Sequence, residues 1–585
     1  MQISDLPFQE VWAEDFEFSA PPGEKPTPVC YVAREVRSGR VVRLIGDELT
    51  RVKAAPHRTD ADVLAIAYYG SAEGACYVVL GWPLPVHVLD LFAEFRCRTN
   101  GCPVPNGNSL LGALVFFGLP AIEIAAKDEF RALALRGAPY TLGESEALLA
   151  YCQSDVDGVV RLLPRVLQDM DVADLGRALL RGRYMQAAAR IELTGVPVDV
   201  TGLGALRENW TQVQEEVIRA VDAQYHIFEG RTFSSSRWKG WLAANGVPWP
   251  TTPAGQLALD DDTFREMARA FPSVAPIHEL RATLSKLRLN ALEVGRDGRN
   301  RCLLSAFRAR TGRNQPSNSK FIFGPAVWIR GLIRPEAGTA IAYVDWCQQE
   351  FGIAAALSQD AAMLKAYRSG DPYLALAQQA GLAPATATRT THARERELAK
   401  ACALAVQYGM GERSLGQRLG QSTAHARELL ARHRYTYRQF WRWSDAVIDF
   451  AALNGFLHTV FGWRLRVADA FNDRSLRNFP MQANGAEMLR LACSFMTEAG
   501  IRVRAPVHDA VLIEAPSNEI EVVAGLAQKE MARASACVLD GLELRSEVKI
   551  VRYPDRYGDE RGRVMWETVW NVLARASRCG VAAKV

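Results

Sequence analysis

Two aspartates stand where β-strands should end. The first closes Thr339-Ala-Ile-Ala-Tyr-Val-Asp345, a short apolar run of β-compatible residues, and a helix-like pattern (Phe351, Ile353, Ala354, Leu357) follows it. The second lies in Ala505-Pro-Val-His508-Asp509-Ala510-Val-Leu-Ile-Glu514, where two apolar runs flank a polar pair. That pattern predicts a tight hairpin with His508 and Asp509 at its tip. Two strand-borne carboxylates can hold a pair of Mg²⁺ ions about 3.5–4 Å apart, the arrangement for in-line phosphoryl displacement. Hard, oxygen-seeking Mg²⁺ needs only one or two protein carboxylates when phosphates supply the other ligands. Taken singly, an aspartate at a strand end is more often a turn or cap residue.

Between the two acids lies Arg396-x3-Lys400-x3-Leu404-x3-Tyr408-Gly409. At about 100° per residue, steps of four drift only about 40°, so these side chains share one helix face ahead of a glycine stop. An arginine and a lysine one turn apart can grip a polyphosphate, and a ring two turns on can meet a base. The same spacing also describes an ordinary solvated basic face. The ordered set of acids and cations, rather than any one member, carries the chemistry.

That order resembles the three polymerase motifs of family A DNA polymerases, the DNA polymerase I-like enzymes: Asp345…Glu350, then Arg396-x3-Lys400-x7-Tyr408-Gly409, then His508-Asp509. Thr311-Gly312-Arg313, Thr459-Val-Phe-Gly462 and Arg474-x3-Asn478-Phe-Pro-Met-Gln482 agree with it, and the resemblance covers roughly residues 175 to 560. It implies that Asp345 and Asp509 bind two catalytic Mg²⁺ ions, with Mn²⁺ a substitute, while Arg396 and Lys400 hold the triphosphate of a dNTP. Tyr408 would sit near the nascent base pair, and Glu350 would crowd the sugar C2′ position and exclude ribonucleotides. Arg313, Gln482 and His508 would touch the primer terminus and minor groove, with Arg474 and Asn478 beside them on the DNA. Primer–template DNA and dNTPs are the implied partners, a helicase or processivity factor a possible addition, and the expected state is a monomer.

Three departures from the family pattern matter. The residue after Asp509 is usually glutamate but here is Ala510, which predicts surviving activity with altered metal affinity; Glu514 is too far along the hairpin to replace it simply. Leu404 stands where phenylalanine or tyrosine usually judges the sugar 3′ side, so discrimination against chain-terminating analogues should change. The usual Asp-Tyr-Ser-Gln reads Asp345-Trp346-Cys347-Gln348. A single-subunit RNA polymerase would share this core, but Glu350 argues for deoxyribose. A decayed, DNA-binding replication scaffold is the other competitor.

Composition bounds these readings. At 585 residues with 49% hydrophobic and 23% charged content, the chain has room for three or four units of an ordinary globular protein. A net charge of +4 is too small to identify a nucleic-acid binder. From Arg281 to Arg313, however, nine Lys/Arg stand against Glu293 and Asp297, which suits a phosphate backbone and salt-dependent binding. Eleven cysteines without a C-x-x-C pair predict reduced, mostly buried thiols. No apolar run approaches about 18 residues, and the amino terminus lacks a cationic, then apolar leader, so a cytoplasmic protein without a membrane span is expected. With no room expected for a 5′-nuclease ahead of it, the chain is expected to resemble phage or mobile-element enzymes more than a full bacterial repair polymerase.

The predicted fold is an α/β ribonuclease H-like exonuclease domain followed by an α+β right-hand polymerase. Residues 1–172 alternate strand-like pieces (Val29–Val36, Val41–Leu44, Val63–Ala67) with helices (Leu110–Phe117, Glu144–Leu163) and are similar to the 3′–5′ exonuclease domain of the same polymerases. Tyr151-x3-Asp155 fits its last motif. Its first motif, Asp-x-Glu, is matched to Ala33-Arg34-Glu35, one ligand short, and Glu73 or Asp90 is proposed for the middle one. This unit is therefore expected to be degenerate, without proofreading. Residues 173–313 should form linker and thumb, with a helix stopped by Gly195 and breaks at Pro248-Trp-Pro250 and Pro272; 314–350 should begin the palm, 351–470 make the fingers, and 471–585 complete the palm and tail. Arg432, Arg434, Arg438 and Arg442 interleave with Tyr435, Tyr437, Phe440, Trp441 and Trp443, a mixture that can guide a template or pack a core. Trp566 and Trp570 should dock a terminal helix.

Overall fold

The computed structural model describes all residues except 121–123, 253–254, 287–288, 325, 408, 468–471 and 583–585. Two sheets organise it. The amino-terminal sheet has five strands, β1 (Glu10–Ser19), β2 (Thr27–Glu35), β3 (Val41–Ile45), β4 (Val63–Ala67) and β5 (His87–Asp90), in the order β3-β2-β1-β4-β5. β1 pairs antiparallel with β2 and parallel with β4. Helix α1 (Leu142–Leu167) covers it, its start fixed by Thr141, whose hydroxyl accepts from Glu144 N–H while the Glu144 carboxylate accepts from Thr141 N–H.

β1 is absent from the sequence-based expectation, and it is the central strand. Its four acids depress strand propensity, but tertiary burial overrides that. Val11, Trp12 and Ala13 are fully buried, and buried Glu14 accepts hydrogen bonds from the hydroxyls of Tyr31 (2.8 Å) and Tyr77 (2.6 Å).

Helix α2 (Val172–Thr194) leads out of this unit and stops at Gly195, whose φ of +62° ends it. Short helices over Val200–Glu208, Trp210–Asp222, Ser235–Ala244, Asp261–Ala270 and Ala275–Lys286 follow, with the expected break between Ala244 and Asp261. Their core is aromatic, Trp238 stacking on Trp241 at 5.0 Å.

The second sheet is antiparallel: β6 (Thr339–Trp346), β7 (Arg502–Val507), β8 (Ala510–Pro516) and β9 (Ser546–Arg552), ordered β7-β8-β6-β9. Both faces are covered, as the near-continuous apolar run of β6 requires. Ala340, Ala342 and Val344 join one core with α3 (Gln349–Ser358) and the long helices, while Ile341 and Leu512 join another with Trp328 and the terminal helix. Strands occupy only 339–346, 502–507, 510–516 and 546–552 of the segments expected to hold the second sheet; 473–498 and 520–538 are helical and 327–332 is a 3-10 turn.

Helices fill the interval between β6 and β7: α4 (Pro372–Gln379), α5 (Ala393–Gln407), α6 (Thr423–Thr436), α7 (Arg438–Asn454) and α8 (Asp473–Glu498). In α6 and α7 the aromatics serve mainly as core. Tyr437 and Phe440 are buried, and the Trp441 indole donates to His433 Nδ1 at 3.1 Å. Tyr435 stays 72% exposed with Arg438 over its ring at 4.0 Å. The terminal helix α9 (Arg563–Ala582) docks through Trp566 and Trp570, and Trp566 lies so close to Gly331 that a side chain there would collide with it. Among the described residues no helix is long and apolar enough to cross a membrane, and the ten described cysteines are unbridged.

Candidate active site

β6 and the β7–β8 hairpin bring the two aspartates together. Val507 pairs with Ala510, so His508 and Asp509 form the tip, and His508 adopts a φ of +59°, a left-handed conformation that costs a non-glycine residue about 1 kcal/mol or more. Ala510 pairs with Asp345, and the Asp509 carbonyl accepts from Trp346 N–H at 3.2 Å. The two carboxyl groups therefore share the end of the sheet. Burial first, then the Asp509 charge and then Glu547, push the Asp345 carboxyl up to about 7. Burial also raises Asp509, opposed by His508 and Arg313 nearby. Asp345 Oδ1 is buried without a hydrogen-bond partner. Paired acids that resist ionisation, one with an uncommitted oxygen, fit a hard divalent cation.

Gln348 starts α3 from a left-handed conformation (φ +48°), which sets Glu350 in the first turn. The Gln482 amide of α8 donates to the Glu350 carboxylate. Tyr373 of α4 lies beside both Glu350 and Arg396, linking α3 to α5. On α5, Arg396 is 8% exposed and donates to Asp371 (2.6 Å) and Glu397 (2.7 Å). Lys400 is half-exposed and only 3.9 Å from Glu397, and Leu404 is half-buried one turn further on. Tyr408 lies outside the described residues. Gly409, at φ +61°, lies against Arg474 of α8, where a Cβ would come within 2.8 Å of that side chain.

The motif flanking the first acid is pinned from three directions. Arg490 of α8 donates to Gly312 O (2.6 Å), the Trp463 indole to Arg310 O (3.0 Å) and the Asn100 amide to Arg310 O (2.6 Å). Thr459 donates to Glu487 (2.7 Å), and Glu487 pairs with Arg490 at 2.7 Å, both about 94% buried. Arg313 thus stands beside His508 and Asp509. Asn478 is half-buried with an unpartnered Oδ1.

The basic segment does not act as one strip. Arg281 lies over Phe264 (4.2 Å), Arg301 is buried on Asp297, and Arg299 pairs with Glu336 and Glu514. Arg296 stays open to solvent, while Arg288 lies outside the described residues. Glu514, held by Arg299 and Arg504 (2.5 Å), is a structural anchor.

A second group of acids lies on the amino-terminal unit. Asp15, Glu17 and Asp155 can bring one carboxylate oxygen each within 4.8 Å of one another. An Asp-x-Glu pair, Asp15-Phe16-Glu17, thus lies on β1, one strand over from Ala33-Arg34-Glu35. Glu35 instead accepts Val11 N–H (3.0 Å) from β1 and Ser38 N–H (2.5 Å) within the β2–β3 turn. Tyr151 is near all three acids and hydrogen-bonds to Asp155. Asp90 is spent on capping, accepting from Ala93 N–H (2.7 Å) and Gly70 N–H (2.6 Å). Glu73 is buried close to Asp15, with its acid raised by burial and then by that charge. The Asp-Phe-Glu triplet was available as a signal; the acid-rich strand around it concealed it.

Residues 313–552 match the model of DNA polymerase family A. DNA polymerase I of Aquifex aeolicus is 26% identical over 440 residues, covering 69% of this chain and 75% of that protein. The thermostable DNA polymerase I of Thermus thermophilus is 27% identical over 379 residues, covering 59% of this chain, which spans only 44% of that relative. Among solved structures, the POL domain of Pol1 from M. smegmatis, in complex with DNA primer-template and dNTP, has the same fold: TM-score 0.71 over 94% of this chain and 96% of that one, at 19% identity.

Proposed function

This chain carries a family A DNA polymerase domain, and from that premise we propose that it extends a primer 3′-hydroxyl with dNTPs under the direction of a template strand. The observation that carries the reading is the Asp345–Asp509 pair at the end of the second sheet, with an unpartnered, buried oxygen on Asp345. We assign that sheet to the palm, the helices between β6 and β7 to the fingers, and the helices of 200–286 to the thumb. Asp345 and Asp509 would hold two Mg²⁺ ions, for which Mn²⁺ can substitute. Such ions, when bound, lower the pKa of an attacking hydroxyl and neutralise triphosphate charge.

Lys400, half-exposed, is the first cation a triphosphate meets. Arg396 must exchange Asp371 and Glu397 for phosphate oxygens before it can join, so nucleotide binding is coupled to movement of α5. Gln482 holds the Glu350 carboxylate in place to exclude a 2′-hydroxyl. Asp345→Ala or Asp509→Ala should abolish primer extension in Mg²⁺ while primer–template binding, measured by fluorescence anisotropy, stays close to wild type. Near-normal extension by either variant would refute the assignment.

A second activity is favoured by the Asp15, Glu17 and Asp155 cluster. We infer that the amino-terminal sheet presents a divalent-ion site for 3′-terminal nucleotide removal, with Tyr151 positioned beside it. The wild-type chain should shorten a mismatched primer in Mg²⁺ without dNTPs, and Asp15→Asn should lose this while keeping extension. A wild-type chain that leaves the mismatched terminus intact would end this second reading.

A further inference from the structure

We propose that Glu547 is the third carboxylate of the polymerase site, supplied by β9 in place of the acid that β8 lacks at Ala510. This rests on the polymerase reading of the Asp345–Asp509 pair. Asp345 has two cross-strand partners, Ala510 on β8 and Glu547 on β9. Directly paired residues project from the same face with Cβ atoms about 4.5–5.5 Å apart. Ala510, Asp345 and Glu547 are thus a row across three strands, at the end of the sheet where Asp509 also lies. One flank of that row offers only a methyl group, fully buried. The other offers a solvent-exposed carboxylate whose charge reaches Asp345.

The surroundings of Glu547 give it no structural task. No cationic side chain pairs with it among the described residues, and its carboxylate meets the Cys347 thiol. Like charges directly opposite one another destabilise a sheet. The repulsion is confined to this position: one step along, Tyr343 faces Lys549, and the next same-face pair is Ile341 with Val551. A bound cation converts that repulsion into shared coordination. Glu514, the other acid of the hairpin, pairs with Ile341 and is consumed by Arg299 and Arg504, so it cannot take this place.

The test measures ion binding directly. The full chain, in an Asp15→Asn background that silences the amino-terminal cluster, is mixed with a 3′-dideoxy-terminated primer–template and the matching dNTP. Free Mn²⁺ is then followed by its electron paramagnetic resonance signal. Glu547→Gln should weaken Mn²⁺ binding about ten-fold. Glu543→Gln, which removes an exposed acid outside the row, should leave it unchanged. Glu547→Gln binding Mn²⁺ as tightly as Glu543→Gln overturns the proposal. Asp345→Asn retaining wild-type affinity would instead remove the polymerase reading beneath it, so the two failures are distinguishable.

Discussion

At the end of the second sheet, Asp345 stands beside Asp509 and opposite Glu547. Its carboxyl is raised from 3.8 to about 7 by burial, then Asp509, then Glu547. Between those two values the folded chain holds a proton that the unfolded chain has released, so this group's contribution to stability falls as pH climbs from about 4 to about 7. On the proposed reading, a divalent ion held by Asp345 would have to displace the same proton. Apparent Mg²⁺ affinity should therefore rise steadily from pH 6 to about pH 7 and then level off, measurable by Mg²⁺ titration of primer–template-bound enzyme at fixed ionic strength. A flat profile across that range would contradict the geometry of the pair. At this scale the sequence was informative where chemistry and local pattern coincide: Asp345 ends an apolar run and Asp509 sits between two, so both positions followed from periodicity. Glu547 did not, because its place beside Asp345 depends on pairing between strands far apart in the chain. Nor did the state of Arg396, since Asp371 and Glu397 claim its guanidinium only once α4 and α5 are packed.

Helix α8 is the element on which the site's scaffolding converges. It supplies Gln482 to Glu350, Arg490 to Gly312 and Glu487 to Thr459, and its first turn presses on Gly409. Breaking a buried ion pair strands the partner's charge, at a cost of about 3–5 kcal/mol. Arg490→Ala should therefore lower the melting temperature by several degrees and reduce extension through the loosened Thr311–Arg313 turn. Replacing Glu487 and Arg490 together by Gln and Met should recover most of the stability but not the activity. A calorimetric scan of both variants checks this. Elements with one clear period, such as β4, α1 and the β7–β8 hairpin, could be read from the chain alone. β1 could not, because Glu10, Glu14, Asp15 and Glu17 look like a solvated edge until Tyr31 and Tyr77 are seen to satisfy Glu14 in the interior. With that strand unread, the Asp15-Phe16-Glu17 triplet was passed over for Ala33-Arg34-Glu35 on β2.

Across the whole molecule, the amino-terminal unit is tied to the rest through polar contacts of the helix Leu91–Thr99, of Asn100 just after it and of α2. Arg181 and Glu94 form a buried ion pair, and Arg181 also donates to Phe461 O at 3.2 Å. The Cys97 thiol donates to Gly462 O. The Asn100 amide donates both to Arg310 O and to Arg464 O (2.8 Å). One short side chain thereby stitches together three stretches of backbone hundreds of positions apart. An amputated chain that began after the first sheet would leave those carbonyls facing solvent and the loop before Arg313 without its tether. The front portion of this protein is thus a brace for the loop that carries Arg313 beside His508 and Asp509, and trimming it away should soften that loop.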